Sequence, residues 1–237
     1  MFKKLSLFGL VLAVVVISLG GYLNLKHQGL GCEEWPACYG KEILAGANSN
    51  QPAWGPESGV LQQIHLYLAS ALGLWGLILV GFAFSLSQQK WSTVAKCLWL
   101  LVLIAAQAWV GQKTLGAVYQ PILLTVHHFL GLLTVWSLAC LYVSSLPRVD
   151  KPRSWSFLNV LVWLAQAVLV LEIVLGSWVA NNLGGLACPD FPRCNGVYLP
   201  EGDYVGALNL IQAWFSEHVV ILDDLSRSML MSLHYVL

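Results

Sequence analysis

Residues 31–40 read GCEEWPACYG, and 156 positions later residues 187–196 read ACPDFPRCNG. Both copies hold two cysteines at a Cys-x5-Cys spacing, with an aromatic residue and a proline between them. The same offset maps Leu19-Gly20 onto Leu175-Gly176, so the repeat includes the end of the apolar segment before each cysteine pair. An apolar segment followed by a cysteine loop, occurring twice, indicates that the chain arose by duplication.

The composition is typical of a membrane protein. Hydrophobic residues make up 57% of the 237 residues and charged residues only 10%, a balance that could not cover the surface of a water-soluble domain. A helix needs about 20 apolar residues to cross a hydrocarbon core of about 30 Å. Five runs are long enough, at approximately residues 5–25, 61–86, 93–118, 122–146 and 155–180. The first run also resembles a signal peptide, but its length and its place in the repeat favour a retained helix.

Basic residues beside the helix ends predict the orientation of the chain in the membrane. With the amino terminus inside, the inner connections contain most of the basic residues that adjoin helix ends, namely Lys3, Lys4, Lys90, Lys96, Arg148, Lys151 and Arg153. The sequence therefore predicts a multi-pass protein of the cell inner (plasma) membrane with a cytoplasmic amino terminus. Both cysteine loops then lie outside.

The order of helices and loops predicts two tandem repeats. Residues 1–146 contain four helices and the first cysteine loop, and residues 147–154 form a polar, proline-bounded linker on the inner side. Residues 155–237 restart the pattern with the equivalent of the first helix and the second cysteine loop. We therefore expect an all-α membrane protein of tandem four-helix bundle repeats, the first complete and the second incomplete.

The paired cysteines are candidates for local disulfides. Disulfides form and persist outside the cytoplasm, and a five-residue spacer can bring two Cα atoms within bonding range. We expect Cys32 to pair with Cys38 and Cys188 with Cys194, either as structural links that hold the loops or as redox-active pairs. Zinc is disfavoured because no histidine flanks either pair, and the Cys-x-x-Cys-His motif for covalent haem is absent from the sequence.

Two histidines are predicted to lie at the same depth in the membrane. His65 is about five residues into the second helix and His127 about six residues into the fourth, so both imidazoles lie about 8–9 Å below the outer boundary. Two imidazoles at one level suit the axial ligation of haem; the alternative is a pair of interfacial histidines bonded to backbone or water. His128 points about 100° away from His127, so only one of them can ligate a given iron, and we choose His127.

Two polar residues share a position relative to a glycine. Glu172 lies four residues before Gly176 in the fifth helix, as Gln107 lies four residues before Gly111 in the third. We interpret both as polar contacts that face the bundle rather than as catalysts. His234 opens the last apolar segment much as His65 opens the second helix.

Four segments in their order along the chain resemble haem A synthase, the membrane enzyme that oxidises a methyl group of haem O to the formyl group of haem A. They are residues 29–40, 63–65, 121–127 and 186–196. The resemblance implies eight helices in two four-helix bundles, of which the first binds haem O through His65 and His127. It implies that the second bundle holds a haem b cofactor through histidines on the sixth and eighth helices, for which His234 is the candidate. If His234 is the first histidine of the family's His-x-x-His-Arg motif, Leu237 stands at the ligand position.

The chain departs from the family pattern at two positions near His65. Gln62 stands at the implied catalytic position, where the family usually has a glutamate, and an amide cannot accept a proton as a carboxylate can. Leu66 replaces the arginine that usually follows the histidine and that would be a partner for a haem propionate.

The function that the resemblance implies is an oxidoreductase of haem A biosynthesis, with the new oxygen drawn from water after successive hydroxylations. The alternatives are a non-catalytic or degenerate haem-binding membrane protein and a haem-free structural bundle. The expected partners are haem O and membrane lipid, and they could include haem O synthase, an electron carrier and a second copy of the chain. No feature of the sequence indicates nucleic acid.

Overall fold

The computed structural model describes residues 1–41, 43–44, 59–85, 90–114, 119–147, 157–215 and 221–236. The expectation of an all-α membrane protein is confirmed, because these residues form helices and loops without any β-strand. Five of the helices are long and apolar enough to cross a membrane. They are α1 (Phe2–His27), α2 (Gly59–Ser85), α3 (Lys90–Thr114), α4 (Pro121–Ser144) and α5 (Phe157–Asn181).

Shorter helices follow the second cysteine loop. They are α6 (Tyr204–Ala207), α7 (Leu210–Phe215) and α8 (Asp224–Val236). Asp223 caps α8, since its carboxylate accepts a hydrogen bond of 2.8 Å from the backbone nitrogen of Ser226. Hydrogen bonds from the Ser226 side chain and backbone hold the pKa of Asp223 below its usual value.

The chain divides into two compact units. The first comprises Met1–Ala117 and Val126–Arg148, and the second comprises Val118–Thr125 and Val149–Leu237. Most of the predicted linker 147–154 lies outside the described residues.

The first unit has one apolar core to which α1, α2, α3 and α4 all contribute. Its buried members are Ala13, Leu72, Leu79, Ala83, Val94, Cys97, Leu100, Leu138 and Leu141. Gly9 lets α1 approach α2 closely, because a Cβ atom there would lie 3.0 Å from Cδ1 of Trp75. The Trp75 indole donates a hydrogen bond of 3.0 Å to the Leu5 carbonyl. Close packing of the four helices fixes the face that each presents to its neighbours.

The second unit is held by buried polar contacts at the end of α5. Asn181 is fully buried. Its side-chain amide donates a hydrogen bond of 3.0 Å to the Thr125 hydroxyl, and its backbone carbonyl accepts one of 2.8 Å from the Tyr119 hydroxyl. The Trp178 indole donates to the Ala207 carbonyl at 3.0 Å. Since α5 also packs against α8, these bonds fix the end of α5 beside the loop and the helix that follow it.

Both cysteine loops contain a disulfide. Cys32 is bonded to Cys38 and Cys188 to Cys194, with Cα separations of 6.7 and 4.5 Å. The second loop rests on α8, where the Ser228 hydroxyl donates to the Ala187 carbonyl at 3.3 Å. Each disulfide therefore closes a short ring within its own loop.

Opening the second loop is expected to expose it to protease. Closing so short a loop contributes about 2 kcal/mol in the chain-entropy account, which corresponds to roughly a thirtyfold change in the open population. We expect trypsin to cut the double variant Cys188→Ser, Cys194→Ser after Arg193 about thirtyfold faster than the parent chain. Mass spectrometry of the digest measures the rate of this cut. Cys140→Ser is the control, because Cys140 is an exposed free thiol; equal cutting of the two variants would contradict a structural role for the disulfide.

Candidate functional site

His127 is held by two residues of the neighbouring helix α3. Its Nδ1 atom lies 3.1 Å from the backbone oxygen of Gln107. Its ring lies over Gly111, where an added Cβ atom would come within 2.8 Å of the ring carbon Cε1. A carbonyl oxygen can only accept, so Nδ1 carries the hydrogen and Nε2 retains its lone pair. This is the tautomer that a histidine needs to ligate a metal through Nε2.

The side chain of Gln107 fixes α3 to α4. Its Oε1 atom accepts a hydrogen bond of 3.2 Å from the hydroxyl of Thr134, which is buried. Its Nε2 atom lies so close to Gly131 that a Cβ there would come within 3.1 Å. The prediction that Gln107 is a bundle-facing polar contact is confirmed, and the same residue supplies the backbone oxygen that orients His127.

His65 is seated against α1 in a similar way. An added Cβ at Gly20 would lie 3.0 Å from Cε1 of His65. The ring also approaches the backbone carbonyl of Val16, although its buried Nδ1 atom does not meet hydrogen-bond geometry. His65 and His127 belong to the same unit.

His234 faces α5 and meets a carboxyl group there. The Nδ1 atom of His234 lies 2.5 Å from Oε1 of Glu172, and both side chains are about 30% exposed. An added Cβ at Gly176 would lie 3.1 Å from Cε1 of His234. Glu172 therefore does make a bundle-facing polar contact, and it makes it with a histidine.

Two further residues named from the sequence lie beside these histidines. Gln62 is half-buried in α2, one turn before His65, and His128 is half-buried next to His127 in α4. Sequence reasoning missed the glycine contacts of all three histidines and the Glu172–His234 pair. The signal that could have found them is the spacing of four residues between a polar side chain and a glycine, seen at Gln107-Gly111 and Glu172-Gly176.

The donor set fits haem. In His127 the Nδ1 atom donates to an oxygen, which leaves Nε2 for iron and matches the usual arrangement of a metal-bound histidine. In His234 the Nδ1 atom lies beside the Glu172 carboxyl group but, like that of His65, outside hydrogen-bond geometry. The buried Nδ1 of His65 needs a partner that a bound ligand could provide or a small ring rotation could reach. The fold is that of a multi-pass helical membrane protein, and its histidines carry the donor atoms that haem iron accepts.

The comparisons with known proteins agree with this class and narrow it. The chain belongs to the COX15-CtaA family of cytochrome oxidase assembly proteins, whose family model matches residues 3–222.

Several relatives are named Heme A synthase. The protein of Shewanella oneidensis is 32% identical over 201 residues, which cover 80% of this chain and 60% of the relative. That of Erythrobacter litoralis is 27% identical, with coverage of 81% and 66%, and that of Halalkalibacterium halodurans is 23% identical, with coverage of 84% and 67%. The chain thus spans about three fifths to two thirds of the length of these relatives. No solved structure matches it.

Proposed function

We propose that the chain takes part in haem A biosynthesis for a terminal oxidase, as an oxidoreductase that converts a methyl group of haem O to the formyl group of haem A. The observation that carries the proposal is that His65 and His127 lie in one unit, each on a different helix and each packed against a glycine of a neighbouring helix. Family membership and the relatives named Heme A synthase support it.

In this proposal His65 and His127 bind the iron of the substrate haem O through their Nε2 atoms. Conversion of a methyl to a formyl group with oxygen from water removes four electrons and four protons, so the reaction needs an electron acceptor and a route for protons. The backbone oxygen of Gln107 keeps the hydrogen of His127 on Nδ1, which preserves the lone pair on Nε2 for the substrate.

His234 is proposed as a ligand of a haem b cofactor. Its Nδ1 faces Glu172, and a carboxylate on the far nitrogen of a ligand histidine fixes its orientation and raises its basicity. When bound, haem b supplies one-electron transfer, with a potential set by its ligands and their hydrogen bonds. The residues of this chain supply the ligand nitrogen and its orientation.

The remaining parts of the proposal concern orientation and partners. The cysteine loops face the outside of the cell inner membrane and the amino terminus faces the cytoplasm, in line with the positions of the basic residues. The proposed partners are haem O, lipid, a haem O synthase that supplies the substrate, and an electron carrier. A homo-oligomer is compatible with this proposal.

A second candidate function is non-catalytic haem binding, and Gln62 favours it. This residue is half-buried one turn before His65, at the position where the resemblance implies a catalytic glutamate. Because an amide cannot take up a proton, the chain would lack a general base at Gln62. It would hold haem without oxidising it.

Haem extraction separates the two functions. The chain is expressed with a supply of haem O and purified in detergent, and its haems are extracted and identified by chromatography and mass. We expect haem A or its hydroxylated precursor. Unchanged haem O would favour non-catalytic haem binding, and absence of haem would exclude both functions. The double variant His65→Ala, His127→Ala is the control for adventitious haem.

A further inference from the structure

Each of the three candidate ligand histidines packs against a glycine of another helix. The pairs are His65 with Gly20, His127 with Gly111 and His234 with Gly176. The distance from an added Cβ atom to the ring carbon Cε1 would be 3.0, 2.8 and 3.1 Å, respectively. The same ring atom is the nearest neighbour in all three, so each histidine approaches its glycine in the same way.

A second feature accompanies the glycine in every case. The residue four positions before it offers an oxygen towards the histidine: the backbone of Val16 near His65, the backbone of Gln107 at 3.1 Å from His127, and the side chain of Glu172 at 2.5 Å from His234. Residues four apart lie on one face of a helix. Glycine and oxygen therefore lie together on each supporting helix, with room for the ring. At Gln107 the oxygen is also a hydrogen-bond partner for Nδ1, whereas the Nδ1 atoms of His65 and His234 lie outside hydrogen-bond geometry.

Helix propensity does not explain these glycines. Glycine inside a helix costs about 1 kcal/mol relative to alanine, so it needs a packing or functional reason. At these three positions the reason is space, since a methyl group would lie only 2.8–3.1 Å from the imidazole carbon Cε1. The ring would have to move by several tenths of an ångström, and Nε2 would move with it.

We propose that Gly20, Gly111 and Gly176 are positioning residues that set the ring orientation of the haem-ligating histidines His65, His127 and His234. The inference rests on the proposed function for the identity of the ligand. Each glycine sets the plane of the imidazole and hence the direction in which its Nε2 lone pair points. The oxygen of the residue four positions before the glycine faces the Nδ1 side of the same ring.

Two adjacent glycines in α1 provide a matched test. Gly20→Ala places its Cβ against His65, whereas a Cβ at Gly21 meets nothing within 4 Å. Both changes replace glycine by alanine in the same helix, so both gain helix propensity equally. We expect Gly20→Ala to lower the haem retained per chain by at least about tenfold, in line with the 10–100-fold cost of losing a group that orients a metal ligand. Gly21→Ala should retain haem as the parent chain does.

The spectrum of the bound haem gives the second measurement. In Gly20→Ala, the low-spin signals in electron paramagnetic resonance should shift, because the g-values report the orientation of the axial imidazole. Helix content and thermal stability by circular dichroism should match those of Gly21→Ala. Gly111→Ala, paired with Gly81→Ala, where a Cβ also meets nothing within 4 Å, should repeat the result for His127.

The outcomes separate this inference from the function on which it rests. If the parent chain binds haem through His65 and His127 but Gly20→Ala and Gly111→Ala bind it with unchanged affinity and spectrum, the positioning role is wrong and the function stands. If the parent chain binds no haem, or binds it equally after both histidines are replaced, the ligand assignment itself is wrong. Equal haem loss in Gly20→Ala and Gly21→Ala would show a general effect on α1 and overturn the positioning role.

Discussion

His127→Ala is expected to reduce the haem bound by the chain more than about 100-fold. Changes to groups that merely orient a ligand already cost 10–100-fold in metal affinity, and this change removes the ligand itself. It also leaves the Gln107 carbonyl without its imidazole partner, although that oxygen retains its bond within α3. Haem content is measured in purified protein by the pyridine haemochrome spectrum, against protein determined by amino-acid analysis.

His128→Ala is the matched control, because it removes an imidazole from the adjacent position of the same helix. We expect it to retain most of the haem, since neighbouring side chains on a helix point about 100° apart. If His128→Ala lost haem and His127→Ala kept it, the ligand would be His128, and Gln107 and Gly111 would have no part in orienting a haem ligand.

The second large effect is expected at Glu172. Glu172→Ala removes the carboxyl group 2.5 Å from Nδ1 of His234, and the ring then loses its oriented partner. We expect the haem held by His234 to be retained 10–100-fold less tightly. Titration of the purified protein with haem b, followed by the Soret band, measures this in a His65→Ala, His127→Ala background that leaves only the second unit to bind.

Glu172→Gln separates orientation from charge. The amide keeps an oxygen that can accept from Nδ1, so its affinity should lie much closer to that of the parent than to that of Glu172→Ala. The reduction potential should be higher in the glutamine variant, because a neutral acceptor makes the histidine a weaker donor to iron. Identical affinities for haem b in the parent chain, Glu172→Gln and Glu172→Ala would show that Glu172 does not orient a haem ligand.

The membrane helices could be predicted closely from the sequence because bilayer thickness imposes their length. The apolar run at 122–146 corresponds to α4 at Pro121–Ser144, and the run at 155–180 to α5 at Phe157–Asn181. The predicted first run covers residues 5–25, whereas α1 covers Phe2–His27. Apolarity alone does not mark where a helix ends, so boundaries are less accurate than the number of helices.

The candidate site could be predicted only in part. The depth of His65 and His127 follows from counting residues along a helix, because rise per residue is constant. The partners of their rings depend on the rotation of each helix about its own axis, which is set by packing. In an apolar helix, residues on every side are compatible with lipid, so periodicity carries little information on rotation. Hence the sequence marks Gly111 only by the polar Gln107 four positions before it, and Gly20, which follows the apolar Val16 at that spacing, has no such mark.

The duplication has an evolutionary consequence at the histidine sites. Val16 and Glu172 occupy equivalent positions, since the offset of 156 that relates the cysteine loops also relates these two residues. Two of the four valine codons differ from a glutamate codon by a single base. From such a codon one point mutation is enough to place a carboxyl group beside the histidine, where the other copy has only the main chain. Two copies of one helix-and-loop unit can in this way surround their histidines with different groups without any change of fold.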